Sequence, residues 1–173
     1  MKAFKKGLQV LIVCAFLIIP AQVFSAQIIY TFILDGSASL SEKDFRAQNN
    51  AISAYLKILN AKAKAQKGMP ADWAGVHYFG GDTDFEPIPY YNCSHDAETR
   101  LVSSGISRVA HPKYGHTAIY TALAKGTYMA LRHEKKLADE HAHVVILITD
   151  GSDTNSSARF KKLIGQTFPN KRV

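Results

Sequence analysis

Asp35-Gly36-Ser37-Ala38-Ser39 sets one carboxylate and two hydroxyls at alternate positions of a tight turn, so that three oxygen-bearing side chains can converge on one point. Far along the chain a second aspartate, Asp150, again precedes a glycine, and Thr117 can supply a further hydroxyl. Oxygen donors with neither sulfur nor imidazole among them suit a hard, small, octahedral cation: Mg²⁺ first, then Mn²⁺ or Ca²⁺. Two carboxylates balance one divalent ion. If the hydroxyls bind the metal directly and a carboxylate stays behind a water, the ion keeps an electrophilic face open to an acidic side chain of a partner. Such docking needs no nucleophile. Each residue also has an ordinary reading: Asp35 and Asp150 as strand-end turn formers, Ser37, Ser39 and Thr117 as helix caps. Those readings leave unexplained why all five fall at the same end of one sheet.

That placement depends on the elements around them. Residues 28–34 form a nearly continuous apolar run, the pattern of a central strand buried on both faces, and it delivers Asp35 at its carboxyl end. Ser41, with Asp44 three residues on, opens a helix to about residue 67, with Phe45, Ile52, Leu56, Leu59 and Ala63 inward. Residues 73–79 and 85–90 read as a strand pair joined by Gly80-Gly81-Asp82, with Pro87 and Pro89 marking the second as an edge. A helix is predicted over 96–109, with Leu101, Val102 and Ile106 inward. A longer one opens at Thr117 and runs to about 137, carrying Ile119, Leu123, Ala130 and Leu131. Residues 143–149 are another buried strand ending at Asp150-Gly151, followed by a short helix over 156–165. The order β-α-β-β-α-α-β-α implies an α/β fold, a doubly wound and mostly parallel sheet with helices on both faces. In such sheets ligands bind at the carboxyl ends of the strands.

Asp35-Gly36-Ser37-Ala38-Ser39, then Thr117, then Thr149-Asp150-Gly151, resemble the metal-ion-dependent adhesion site of von Willebrand factor A domains, in this order and over essentially the whole chain after its first 25 residues. The resemblance implies that the two serines and the threonine are metal ligands and that the two aspartates often act through water. Those roles carry over to Asp35, Ser37, Ser39, Thr117 and Asp150. In that family the sheet continues past the helix that follows Thr149-Asp150-Gly151. The expectation is therefore a domain over 26–173 that is truncated at its C-terminus, lacks its last strands, and leaves the 143–149 strand as an apolar edge able to self-associate.

The first 25 residues read as a signal peptide: Lys2, Lys5 and Lys6, a short apolar run over 8–19, Pro20, then the small residues Val23 and Ser25 before a cut at Ala26. The run falls short of the roughly 20 apolar residues that span a bilayer, so no membrane span remains after cleavage. Cys14 leaves with it. Cys93 is then alone, and no intrachain disulfide can form. With 47 % hydrophobic and 20 % charged residues among 173, the rest is enough for one globular domain. Loss of the three lysines lowers the formal charge from +7 to +4, and the remaining basic residues are scattered along helices, which argues against nucleic acid as a partner. His111 and His116 raise zinc, but no close Cys/His cluster accompanies them. Asp153 and Asn155 lie where they can touch a ligand or simply make a turn.

These readings favour an exported, non-enzymatic interaction module that captures a protein's acidic side chain. The alternative from another class is a metal-assisted hydrolase or phosphoryl-transfer enzyme. It is opposed by the lack of a second carboxylate two residues after Asp35, of a Gly-rich phosphate loop, and of a nucleophile elbow. A third reading is a non-functional truncated fragment.

Overall fold

The computed structural model describes residues 27–66, 69–134 and 141–151, together with 153, 154, 156, 158, 159 and 162. The signal-peptide reading and most of the helix expected over 156–165 lie outside these residues.

The apolar run forms β1 (Gln27–Asp35), flanked in parallel by β2 (Trp73–Phe79) and β4 (His141–Ile148). β3 (Phe85–Asn92) pairs antiparallel with β2, with a register shift between Ala74 and Val76, and the four-stranded order is β3-β2-β1-β4. The expected hairpin is present, and β3 is an edge among the described residues. Pro87 and Pro89 lack the N–H that an inner strand would need.

Successive β1 side chains point to opposite faces, and both faces are covered. Tyr30, Phe32 and Leu34 face a core shared with Phe45, Ile52, Leu56 and Leu59 of α1 (Glu42–Ala65) and Ile106 of α2 (Asp96–Arg108). Ile33 packs on the other side with Phe79, Leu147 and the Ile119 and Ala122 side chains of α3 (Ile119–Glu134). This is a doubly wound α/β sheet with helices on both faces. The α1 cap is built as the sequence implied: Asp44 N–H donates to Ser41 Oγ at 3.1 Å, and the Ser41 hydroxyl donates back to the Asp44 carboxylate at 2.7 Å. With Ser41 as the cap, Ser37 and Ser39 are released from that role.

Two inward assignments fail. Leu101 is 73 % exposed, because α2 buries Thr99, Ser103 and Ile106. At 3.6 residues per turn, Leu101 stands about 200° from Thr99. Leu131 is 49 % exposed, since the α3 stripe runs through Ile119, Ala122, Gly126 and Ala130. Small residues on that stripe let the helix approach closely: a Cβ at Gly126 would stand 2.5 Å from Ile33 Cδ1. Helix α3 also begins two residues later than expected, which leaves Thr117 in the preceding loop. Among the described residues β4 is the sheet's second edge, with Val144, Val145, Ile146 and Ile148 half-buried.

Candidate metal site

The carboxyl ends of β1, β2 and β4 meet at one edge, as parallel pairing in this register requires. Asp35 ends β1, and the chain must turn at once. Gly36 permits the turn because a Cβ there would stand 2.9 Å from Pro112 Cγ and 3.0 Å from Tyr114 Cε2. The loop before α3 lies directly against it: Ala38 N–H donates to Tyr114 O at 2.8 Å, and Tyr114 N–H donates to Gly36 O at 3.0 Å. Gly36 N–H in turn donates to Phe79 O at 2.8 Å, so the turn is tied to β2 as well.

Within the turn, Ser37 N–H donates to Asp35 Oδ1 at 2.8 Å. The Ser37 and Ser39 hydroxyl oxygens are 2.8 Å apart, and Ser39 Oγ donates to Asp150 Oδ1 at 3.1 Å. Cation–oxygen distances of about 2.1 Å in an octahedron put neighbouring oxygens roughly 3 Å apart. The three oxygens from β1's turn and β4's end therefore already have the spacing of adjacent octahedral positions, and their chemistry fits Mg²⁺ or Mn²⁺. Among the described residues no group of three or more His, Cys, Asp or Glu is placed to hold a metal ion, so this site rests on hydroxyls as much as on carboxylates.

Asp35 is fully buried. Besides Ser37 N–H it is held by the Thr149 hydroxyl, which donates to Oδ2 at 2.6 Å, and its backbone carbonyl accepts from Gln48 Nε2 at 2.6 Å. Burial raises its carboxyl above the usual range, and the negative charge of Asp150 adds to the rise, while the hydrogen bonds from Thr149 and Ser37 pull the other way. A buried carboxylate whose dipolar partners do not offset its desolvation favours a cation beside it.

Thr117 is buried in the loop before α3 and stitched to the segment after β4. Thr117 N–H donates to Thr154 Oγ1 at 3.0 Å, and Thr154 N–H donates to Thr117 O at 2.8 Å. Its Oγ1 faces Gly151, 3.8 Å from where a Cβ would stand. Asp35, Ser37 and Thr117 are buried, whereas Ser39 and Asp150 are exposed, so the cluster has a closed base and an open mouth.

The structure thus joins Asp35, Ser37, Ser39 and Asp150 by hydrogen bonds and brings Thr117 to the same edge through Thr154 and Gly151. Sequence reasoning missed Thr149, Thr154, Gln48 and His111 as site residues. Thr149 stands in the quoted Thr-Asp-Gly, where a strand end before an aspartate gave a usable signal. Nothing in the local pattern marks Gln48, on the second turn of α1. His111, read from the sequence only against zinc, stacks on Phe45 at 4.4 Å and reaches Ser37 O at 2.9 Å.

A doubly wound sheet with a polar loop cluster at the carboxyl ends of its central strands defines a class of α/β binding folds. The family model of the von Willebrand factor type A domain matches residues 31–166, and the chain belongs to that family. Domains of this family are in general protein-interaction and adhesion modules, and they often hold a divalent metal. A search of curated proteins returned no match. Among the described residues no helix is long and apolar enough to cross a membrane.

Proposed function

We propose that this chain is an exported, non-enzymatic binding module whose Asp35, Ser37, Ser39, Thr117 and Asp150 hold Mg²⁺, or Mn²⁺ or Ca²⁺ in its place, and that the ion receives a carboxylate from a partner protein. The observation that carries the reading is the run of oxygens from Ser37 through Ser39 to Asp150 at 2.8 and 3.1 Å, above the buried carboxylate of Asp35. The bound ion would supply a Lewis-acidic face at the mouth. Asp35 and Asp150 would neutralise it, and the hydroxyls would fix its position from the turn after β1.

Isothermal titration of the purified chain with Mg²⁺ and Mn²⁺, for wild type and Asp35→Ala, tests the site. The expected result is binding that the substitution abolishes, with capture of acidic-peptide ligands that is lost on chelation. Equal affinity of both proteins would refute it. Export rests on the basic start, the short apolar run and the small residues before Ala26. Mass spectrometry of the N-terminus after expression in a secreting host is expected to find Ala26 first. β4, apolar and at an edge of the sheet among the described residues, adds self-association as a further proposed contact, for which sedimentation velocity is expected to show dimer growing with concentration.

A further inference from the structure

His111 is nearly absent from the surface, a polar ring set against the main apolar core. Its ring lies flat on Phe45, at 4.4 Å between centroids and 14° between planes, so its orientation is set by packing against α1. From there Nε2 meets the backbone carbonyl of Ser37 at 2.9 Å. A carbonyl only accepts, so the ring must carry its proton on Nε2 and donate. Nδ1 then has no hydrogen-bond partner, and the nearest carboxylate, Glu42 at the start of α1, is 3.8 Å away.

The consequence falls on Ser37. Its N–H is engaged by Asp35 Oδ1 and its hydroxyl by Ser39 Oγ. Its carbonyl takes Leu40 N–H at a long 3.3 Å as well as the shorter bond from His111. Turning the peptide plane between Ser37 and Ala38 would break the His111 bond and swing Ala38 N–H off Tyr114 O. The ring therefore clamps from behind the peptide whose front presents the Ser37 hydroxyl. Pro112, next to His111, and Tyr114, three residues on, leave no room for a Cβ at Gly36, so one loop fixes the turn through packing and through this bond.

We propose that His111 is a positioning residue for the cation site, holding the Ser37 hydroxyl in its binding orientation through the Nε2–H to Ser37 carbonyl bond. This rests on the metal reading above, and it extends that reading to a residue that touches no ion.

One test needs neither a variant nor a metal. Nitrogen-15 spectra of the histidine rings in the metal-free chain at neutral pH are expected to report His111 as the Nε2–H tautomer with a slowly exchanging ring proton. The Nδ1–H tautomer overturns the proposal whether or not the chain binds metal. The second test compares wild type with His111→Phe, which keeps the ring on Phe45, and with His111→Gln, whose amide can donate to the same carbonyl. Expected are a 10- to 100-fold loss of Mn²⁺ affinity in His111→Phe, a melting temperature of the metal-free protein lowered by only about 2–4 °C for the one lost hydrogen bond, and recovery of most of the affinity in His111→Gln. Equal affinity of wild type and His111→Phe, or a His111→Gln no tighter than His111→Phe, overturns the positioning role. Failure of the wild type itself to bind Mg²⁺ or Mn²⁺ overturns the metal reading instead.

Discussion

The Thr149 hydroxyl donates to Asp35 Oδ2 at 2.6 Å, joining the ends of two parallel strands that are 114 residues apart in sequence. Thr149 is the first residue past β4 and Asp35 the last of β1, so this bond exists only if the two strands pair in the observed register. It fixes the carboxylate against rotation and, with the hydrogen bonds from Ser37, opposes its desolvation.

Thr149→Val keeps the shape and removes the donor. A hydrogen bond to a buried carboxylate contributes about 1.5–3 kcal/mol, so the metal-free protein is expected to lose stability of that order, and the affinity for Mg²⁺ to fall 10- to 100-fold. Thr149→Ser retains the hydroxyl and is expected to stay close to wild type. Chemical denaturation and calorimetric titration check both.

His77 controls acid stability. Its ring is fully buried between Phe85, stacked at 5.1 Å, and Tyr90, edge-on at 5.7 Å, and neither ring nitrogen has a hydrogen-bond partner. Burial pulls its imidazole down from 6.5 to about 4. The unfolded chain therefore binds a proton between these values that the folded chain refuses. The contribution is present in full above pH 6.5 and is lost as pH falls towards 4, up to about 3 kcal/mol. The raised carboxyl of Asp35 acts in the opposite sense, since its neutral form is the one that folding favours. The difference in unfolding free energy between wild type and His77→Leu, followed by denaturation from pH 7 to 4, isolates the histidine. A wild-type slope no steeper than that of the variant would refute it.

Gly80 and Gly105 are expected to respond to alanine with opposite signs. A Cβ at Gly80 would stand 2.1 Å from Tyr114 Cβ, close to that residue's backbone, which holds Gly36 and Ala38. Gly80→Ala is expected to cost about 1–3 kcal/mol or more and to weaken metal binding. At Gly105, inside α2, nothing lies within 4 Å of the added methyl, and the substitution is expected to stabilise by about 0.5–1 kcal/mol. Melting temperatures decide both signs.

Cys93 is expected to be inert in the folded chain. Its side chain is fully buried, and burial, with the Asp72 carboxylate adding to it, pushes the thiol up to about 12. Thiolate is the reacting form, so a chromogenic disulfide reagent is expected to label Cys93 only after denaturant is added. Rapid labelling of the native protein would contradict this.

The sequence by itself determined the element order from β1 to β4, the edge position of β3 among the described residues, the Ser41 cap and which end of the sheet carries Asp35 and Asp150. Those features follow from patterns a few residues long: apolar continuity, proline's missing N–H, and an aspartate at a strand end. Helix faces were less legible where the apolar residues were not the buried ones, as with Thr99 and Ser103 displacing Leu101, because α2 burial is set by what it packs against. The assembly of the site was decided only by tertiary structure. Parallel pairing of β1 with β4 brings Thr149 to Asp35 and Asp150 to Ser39, and docking of the loop before α3 brings His111 to Ser37 and Thr117 to Gly151. Hydroxyls, amides and an imidazole are directional groups acting within about 3 Å, and residues far apart in the chain reach that distance only when packing of the sheet and its loops fixes both partners.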